Sequence, residues 1–139
     1  MTDAYAEKIL VDWFKNMEGL EITEDGQFPE VCFPNHNFER PEDGYWYELF
    51  FIPGGSQQIE LGSEARSRWV GLLRINVCVP KDTGVTAAND RYENIARHFR
   101  SGAIIEGVRI ARTSRSSAIE DGDYYTLPVT VEFWADLDR

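Results

Sequence analysis

The sequence has few of the residues that build disulfide-bonded or metal-bound scaffolds. Its two cysteines, Cys32 and Cys78, lie far apart and form no C-x-x-C pair, and its two histidines are His36 and His98. A structural zinc site needs four suitable ligands, and thiols in a cytoplasm stay reduced. The sequence therefore predicts two reduced thiols and no metal site.

The sequence also has no long apolar run and no basic leader. A membrane-spanning helix needs about 18 or more consecutive apolar residues, and the chain has no such run. The first eight residues carry Asp3 and Glu7 where a signal peptide would have basic residues. These features predict a protein that is made and kept in a cytoplasm, with no membrane partner.

Basic residues are scarce in the first part of the chain. Residues 1–60 hold 13 acids against Lys8, Lys15 and Arg40, and the net charge of the whole chain is −10. A nucleic-acid binder gains affinity mainly by neutralising phosphates, so this acidity argues against specific nucleic-acid binding. The uneven charge is typical of a solubilising surface. Alternatively, it indicates a subunit with two electrically different sides that pair with copies of itself or with a neighbour.

The sequence contains no catalytic motif. It has neither a nucleophile-elbow pattern nor the glycine-rich loop that binds phosphates in P-loop proteins. With 24 acids in the chain, an arbitrary carboxylate pair says nothing about general acid–base chemistry. We therefore predict that the protein is not an enzyme, and we assign no catalytic, cofactor-binding or metal-binding residue.

Two segments have the apolar periodicity of amphipathic helices. The first runs from Asp3 to about Glu18 with Thr2 as N-cap, and the second from about Thr86 to Arg100. Strands are predicted at Val31 to Phe33, Tyr45 to Ile52, Gln57 to Leu61, Arg68 to Val79, Val108 to Ala111 and Tyr124 to Ala135.

The order of these segments predicts one α+β domain over residues 1–139. Its mixed or antiparallel sheet would carry both helices packed on it. A parallel, right-handed pairing of the Arg68–Val79 strand with the Val108 strand is possible. Pro128 indicates that its strand either lies at an edge or turns the missing amide away from the ladder. Residues 53–68 and 112–123, rich in Gly, Ser and charged residues, are predicted to be exposed, mobile loops.

A set of short landmarks follows in fixed order along the chain. They are Val31-Cys32-Phe33-Pro34-Asn35, Phe38-Glu39-Arg40-Pro41, an aromatic strand from Trp46 to Ile52-Pro53, Gln58-Ile59-Glu60-Leu61-Gly62, Gly71-Leu72-Leu73, Val79-Pro80, and Gly84 before a helix that ends at Phe99. Over residues 31 to about 135, this ordered set resembles the small tail-terminator-like proteins of phages and prophages, which are related to the lambda-type tail terminator.

The resemblance implies a structural subunit that forms a ring, usually a hexamer, on the finished tail tube. Such a ring ends tube polymerisation and offers a docking surface to the head side. The implied partners are copies of the chain itself, the tail-tube protein and the head–tail connector protein. The resemblance implies no catalysis and no cofactor. It also implies a place in the virion tail, after assembly in the cytoplasm of the bacterial host.

Two other classes of protein remain open at this point. One is a different neck or tail structural protein, such as a head–tail connector or a tube subunit. The other is a small-molecule-binding α+β domain with an aromatic pocket around Trp46, Phe50 and Trp69. A deep cavity lined by those three residues would favour the second class.

The uneven charge predicts how a ring would hold together. A closed ring uses head-to-tail contacts, so two different patches on each subunit must be complementary. The predicted acidic patch comprises Glu30, Glu39, Glu42, Asp43 and Glu48, and the predicted arginine patch comprises Arg66, Arg68 and Arg74. Arginine suits this contact because its planar guanidinium can bind a carboxylate through two hydrogen bonds.

Overall fold

The computed structural model describes residues 2–35, 38–39, 41, 44–59 and 66–138. The helices are α1 (Asp3–Lys15) and α2 (Thr86–His98). The strands are β1 (Val31–Cys32), β2 (Trp46–Gln58), β3 (Arg66–Pro80), β4 (Ile104–Ile105), β5 (Val108–Arg115), β6 (Ile119–Asp121) and β7 (Tyr124–Asp138). They form one sheet in the order β1-β2-β3-β7-β5-β4, and β6 pairs with β7.

The sheet is mixed, which is one of the two arrangements that the sequence predicted. β1 runs parallel to β2, and the other described strand pairs are antiparallel. The α+β class is therefore confirmed. The parallel pairing considered for β3 and β5 is wrong, because β7 lies between them and pairs antiparallel with both.

The alternation along β3 places the hydrophobic core on one face of the sheet. Leu73, Ile75, Val77 and Val79 are fully buried, because successive side chains of a strand point to opposite faces. Buried residues of both helices belong to the same cluster; they include Ala6, Leu10, Phe14, Ala88 and Ile95. We call this side of the sheet the core face. The other side, which carries the even-numbered residues of β3, is called the open face.

Trp13 and His98 join the two helices. The indole Nε1 of Trp13 in α1 donates a hydrogen bond to the carbonyl oxygen of His98 at the end of α2, at 2.9 Å. The His98 ring stacks on the Trp13 ring with centroids 4.6 Å apart, and its Nε2 is hydrogen-bonded to the Trp13 carbonyl. His98 is therefore a structural residue whose ring and carbonyl both have partners.

Thr2 caps α1 as predicted, because its hydroxyl accepts a hydrogen bond from the Ala4 amide. Both helices end earlier than their periodicity indicated, at Lys15 and at His98. Beyond α2, the Phe99 carbonyl accepts a hydrogen bond from the Thr113 hydroxyl at 2.6 Å. That carbonyl is thereby satisfied by β5 instead of by another helical turn.

The segment Pro53-Gly54-Gly55 does not end a strand, contrary to the prediction. β2 continues through it to Gln58, and the ladder with β3 shifts register between Pro53 and Ser56. A β-bulge of this kind accommodates Gly55, which has φ of +94°. Residues 53–58 and 66–68 are thus paired strand, not loop, whereas residues 60–65 lie outside the described residues.

The polar segment after Ala111 is also mainly strand. Arg112 to Arg115 continue β5 and pair with β7 after a register shift at Ala111, and β6 pairs with β7 as well. The loop predicted for residues 112–123 is therefore wrong over most of its length. The cause is that Arg112 and Ser114 point to the open face, where a strand needs no apolar side chains.

Pro128 lies in the middle of the sheet and not at an edge. Its carbonyl oxygen accepts a hydrogen bond from the Ser116 amide at 3.0 Å. In an antiparallel strand the amide and carbonyl of one residue point to the same side. The position without an amide hydrogen therefore faces the end of β5, and the ladder with β3 is undisturbed.

Tyr47 in β2 gives the fold a dependence on alkaline pH. Burial raises the pKa of Tyr47 to about 12 from its ordinary value of 10.0. Between these two values the native state keeps a proton that the unfolded state loses, so stability is complete below pH 10 and falls as the pH rises. For Tyr47→Phe we expect this loss to disappear. Between pH 9 and pH 11, the free energy of unfolding of the variant should rise by about 1.4 kcal/mol relative to that of the parent.

The measurement is urea unfolding of both proteins at pH 7, 9 and 11. The difference at pH 7 gives the packing contribution of the hydroxyl and serves as the internal control. An unchanged difference from pH 7 to pH 11 would contradict the assignment of the alkaline loss to Tyr47.

Candidate interaction surface

The open face presents a strip of exposed apolar side chains. Phe50, Ile52 and Val70 expose 44%, 40% and 41% of their surface. They are neighbours because the strand register places Phe50 opposite Arg74, Ile52 opposite Leu72, and Val70 opposite Trp134. Contiguous apolar side chains on a soluble protein mark contact sites for partners. We call Phe50, Ile52 and Val70 the apolar strip.

Next to the strip lies an arginine–tryptophan cluster, built from β3, β5 and β7. Its members are Arg66, Arg68, Arg109, Arg112, Glu132, Trp134 and Asp136. Arg68 binds Asp136 through two hydrogen bonds of 2.8 and 3.0 Å. The guanidinium carbons of Arg68 and Arg109 lie 4.2 and 5.0 Å from the centre of the Trp134 ring. These distances are those of cation–π contacts.

The cluster has a positive local charge within an acidic protein. Arg112 binds Glu132 at 2.9 Å, and the register places Asp138 opposite Arg66, so four arginines lie beside three acidic residues. The hydrogen bond from Arg68, followed by the charges of Arg68, Arg66 and Arg109, lowers the pKa of Asp136. Arg68, which binds Asp136 directly, and Arg66 and Arg109, which lie on the same face, therefore all favour the ionised form of this carboxyl.

An open groove of about 470 Å³ separates the strip from the cluster. Its walls include Ile52, Pro53, Val70, Leu72 and Trp134. The groove is therefore apolar at its base and charged at its rim. This combination suits an apolar side chain that arrives with acidic neighbours.

A larger concavity of about 830 Å³ lies between α1 and residues 26–39. Phe28, Phe33 and Phe38 form its apolar wall, and the ion pair of Lys8 and Asp12, at 3.1 Å, lies at its rim. The described residues that line it include no histidine, cysteine, serine or threonine.

Among the described residues, neither a metal-binding group nor a reactive thiol is found. Within them, no group of three or more His, Cys, Asp or Glu side chains is placed to hold a metal ion. Burial, followed by the negative charge of Glu48, raises the pKa of the Cys32 thiol, which keeps it protonated and weakly nucleophilic. Cys78 is buried and also a free thiol. His36 lies outside the described residues.

The aromatic pocket considered for a small molecule is not formed. Phe50 lies on the open face, whereas Trp69 alternates to the core face. Trp46 is buried against Tyr124, with ring centroids 5.9 Å apart, and against Phe38. The three aromatic residues therefore line no common cavity.

The predicted acidic patch is only partly brought together. Glu48 lies on the open face, where its carboxylate accepts a hydrogen bond from Asn76 at 3.3 Å. Glu39 is exposed, Glu30 is half-buried, and Glu42 and Asp43 lie outside the described residues. Because Glu48 shares a sheet face with Arg74, the acidic and arginine sets are not two fully separate patches.

The predicted arginine patch lies on the open face, but its members differ in their surroundings. Arg66 is exposed, and Arg68 already binds Asp136 of its own chain. Arg74 is half-buried, with a buried Nε that has no hydrogen-bond partner in the structure. Sequence reasoning missed Arg109, Arg112 and Trp134. Simple alternation along β5 would have placed Arg112 on the core face with Ile110, and only the register shift at Ala111 turns it to the open face.

An exposed apolar strip beside a charged cluster is typical of a surface that contacts partner proteins. The sequence matches the family described as phage tail terminator protein over residues 15–133. The chain therefore belongs to the phage tail terminator family, which is a family of structural proteins. The resemblance seen in the sequence landmarks is thereby confirmed.

A solved structure supports the fold. It superimposes on the chain with a TM-score of 0.66 at 20% sequence identity, covering 96% of this chain and 92% of that chain. None of the curated proteins matches the chain. In the part of the chain that the structure describes, no helix combines the length and apolar composition that a bilayer crossing requires.

Proposed function

We propose that the chain forms a homo-oligomeric ring, a hexamer on the tail, that caps the tail tube. The ring ends tube polymerisation and provides the surface on which the head–tail connector docks. Its partners are further copies of the chain, the tail-tube protein and the connector protein. The site of assembly is the cytoplasm of the bacterial host.

The observation that carries this proposal is the open face, together with membership of the family. Phe50, Ile52 and Val70 would be costly to leave in water on a finished particle, because burying apolar surface gains roughly 25 cal/mol per Å². The strip therefore favours a subunit whose open face is covered after assembly. Membership of a tail terminator family favours a place for that assembly at the end of the tube.

Charge pairing is the proposed source of specificity between subunits. An acidic surface of one copy meets the arginine surface of the next, with Arg66, Arg68 and Arg74. Single exposed ion pairs contribute only about 0–1 kcal/mol. Isolated subunits therefore assemble weakly and respond to salt, and the ring forms mainly on the tube.

The test is to add the protein to polymerising tail-tube protein and to follow the tubes by electron microscopy. We expect the tubes to stop growing and a label on the protein to mark one tube end. Label distributed along the tubes would instead identify a tube subunit. Unlimited growth with no bound protein would contradict the proposal.

Two matched valine variants test the use of the open face. Val70→Asp places a charge in the apolar strip, whereas Val85→Asp changes a valine outside it that is 54% exposed. We expect Val70→Asp to lose binding to tube ends and Val85→Asp to keep it. Equal binding by both variants would show that the apolar strip is not part of the assembly contact.

A further inference from the structure

We propose that the arginine–tryptophan cluster receives the acidic segment 16–30 of a second copy of the chain. This inference rests on the ring of the proposed function and goes beyond it, because it names the two surfaces that meet. It also moves the acidic half of the contact from the predicted patch to a different segment.

The acidic segment is defined by its composition. Residues 16–30 contain five acids and no Lys, Arg or His; the acids are Glu18, Glu21, Glu24, Asp25 and Glu30. Glu21 and Glu24 are exposed. Between them lies Ile22, which exposes 55% of its surface. The segment thus presents an apolar side chain within a row of carboxylates.

Hydrogen bonds and packing against the core fix the position of the acidic segment. The Asn94 side chain of α2 donates a hydrogen bond to the Glu18 carbonyl at 2.8 Å. Thr23 closes a turn with Gln27, whose amide donates to the Thr23 hydroxyl at 3.0 Å. Leu20 and Phe28 pack against the core. Docking a fixed segment costs less conformational entropy than ordering a flexible one.

The receiving surface matches the segment in both charge and shape. The cluster has four arginines beside three acidic residues, so it keeps a net positive charge that attracts further carboxylates. The flat Trp134 ring holds Arg68 and Arg109 beside it, which presents their donors in fixed positions. The neighbouring groove is lined by Ile52, Val70 and Leu72 and is suited to an isoleucine side chain such as Ile22.

One copy cannot bring its own two surfaces together. The acidic segment is attached to α2, whose buried residues share the core with the core face of β3. The cluster lies on the open face, so the sheet separates the two. The contact must therefore join different copies through two different patches. Contacts of this type are head-to-tail, and they form a ring when the rotation between neighbouring copies closes.

The test uses two charge-reversed chains. In the first, Arg66 and Arg109 are both changed to Glu; in the second, Glu21 and Glu24 are both changed to Lys. Each chain alone then has two surfaces of like charge and is expected to self-associate about tenfold more weakly than the parent. Mixed in equal amounts, the two chains present opposite charges at every contact and should assemble alternately. Sedimentation velocity at low salt measures both results.

Two controls keep the result interpretable. Changing Arg97 and Arg100 to Glu reverses two exposed arginines on and just after α2, and this variant should self-associate as the parent does. Arg66→Gln with Arg109→Gln removes the charges without introducing repulsion toward Asp136. It should also weaken association while circular dichroism and the melting temperature show a folded chain.

The outcomes separate this inference from the proposed function. If the arginine variant self-associates and caps tubes as the parent does, the inference is wrong and the capping function stands. If the two variants fail to assemble when mixed, although both are folded, the inference is also wrong. If the parent caps no tubes but the mixture recovers association, the inference stands and the proposed function fails.

Discussion

Replacing Phe14 by alanine is expected to lower the free energy of unfolding by about 3–5 kcal/mol. Phe14 is fully buried in α1. Its ring meets the Tyr47 ring edge-on, with centroids 5.6 Å apart, and the Phe33 ring at 6.5 Å. The truncation removes these contacts and leaves a cavity where the helix rests on the edge of the sheet. A loss of this size is a large part of the total stability of a small domain.

The measurement is equilibrium unfolding in urea, with Val11→Ala as the control from the same helix. Val11 is half-buried, so its truncation should cost clearly less. A similar cost for both variants would mean that α1 is held by its apolar face in general and not by the Phe14 ring. We also expect the Phe14→Ala variant to expose Tyr47, which would reduce its alkaline pH dependence.

Gly71→Ala is the second substitution with a large expected effect, about 1–3 kcal/mol of lost stability. A Cβ at this position would lie 2.8 Å from the Ile52 carbonyl oxygen and 2.9 Å from the Phe133 ring. The Phe133 ring in turn stacks on Phe51, with centroids 5.5 Å apart. The backbone oxygen cannot move away without disturbing the β2–β3 ladder, so the added methyl group must displace the aromatic ring.

A double-mutant cycle with Phe133→Leu checks this explanation. Leucine removes the ring atoms that the new Cβ would meet, so the alanine should cost about 1 kcal/mol less in the Phe133→Leu background than in the parent. Urea unfolding of the four proteins gives the coupling energy. Additive costs would show that the strain lies in the backbone contact with Ile52 and not in the ring.

The central strand β3 was predictable because its burial is one-sided. Leu73, Ile75, Val77 and Val79 are all apolar and all buried, and the alternation in sequence follows directly from the alternation in burial. The second half of β5 was missed for the opposite reason. Arg112 and Ser114 point to the open face, so the segment has the composition of a loop although its backbone is paired.

The bulge in β2 shows how tertiary pairing overrides a local signal. Pro53-Gly54-Gly55 is a strong turn signal, yet the partner strand β3 continues beyond it and keeps β2 extended to Gln58. The arginine–tryptophan cluster could not be predicted because it depends on the strand register. Arg68, Arg109 and Trp134 belong to three strands that are distant in sequence, and only the pairing of β3 and β5 with β7 brings them together.

The position of β7 has a consequence for how the chain folds. β7 follows all the other described strands in sequence, but it lies at the centre of the sheet and pairs with both β3 and β5. Its innermost pair with β3 joins Pro80 to Tyr124, and its outermost joins Arg66 to Asp138. Contacts between residues so far apart in sequence slow folding.

Until β7 has been synthesised, β3 and β5 each expose an unpaired edge, and the apolar residues Leu73, Ile75 and Val77 have no neighbour on that side. Unpaired edges of this kind are templates for aggregation. A nascent chain of this protein is therefore expected to be most vulnerable while its last strand is being made. Both edges are paired in a single late step, when β7 inserts between β3 and β5, and they are then no longer available for aggregation.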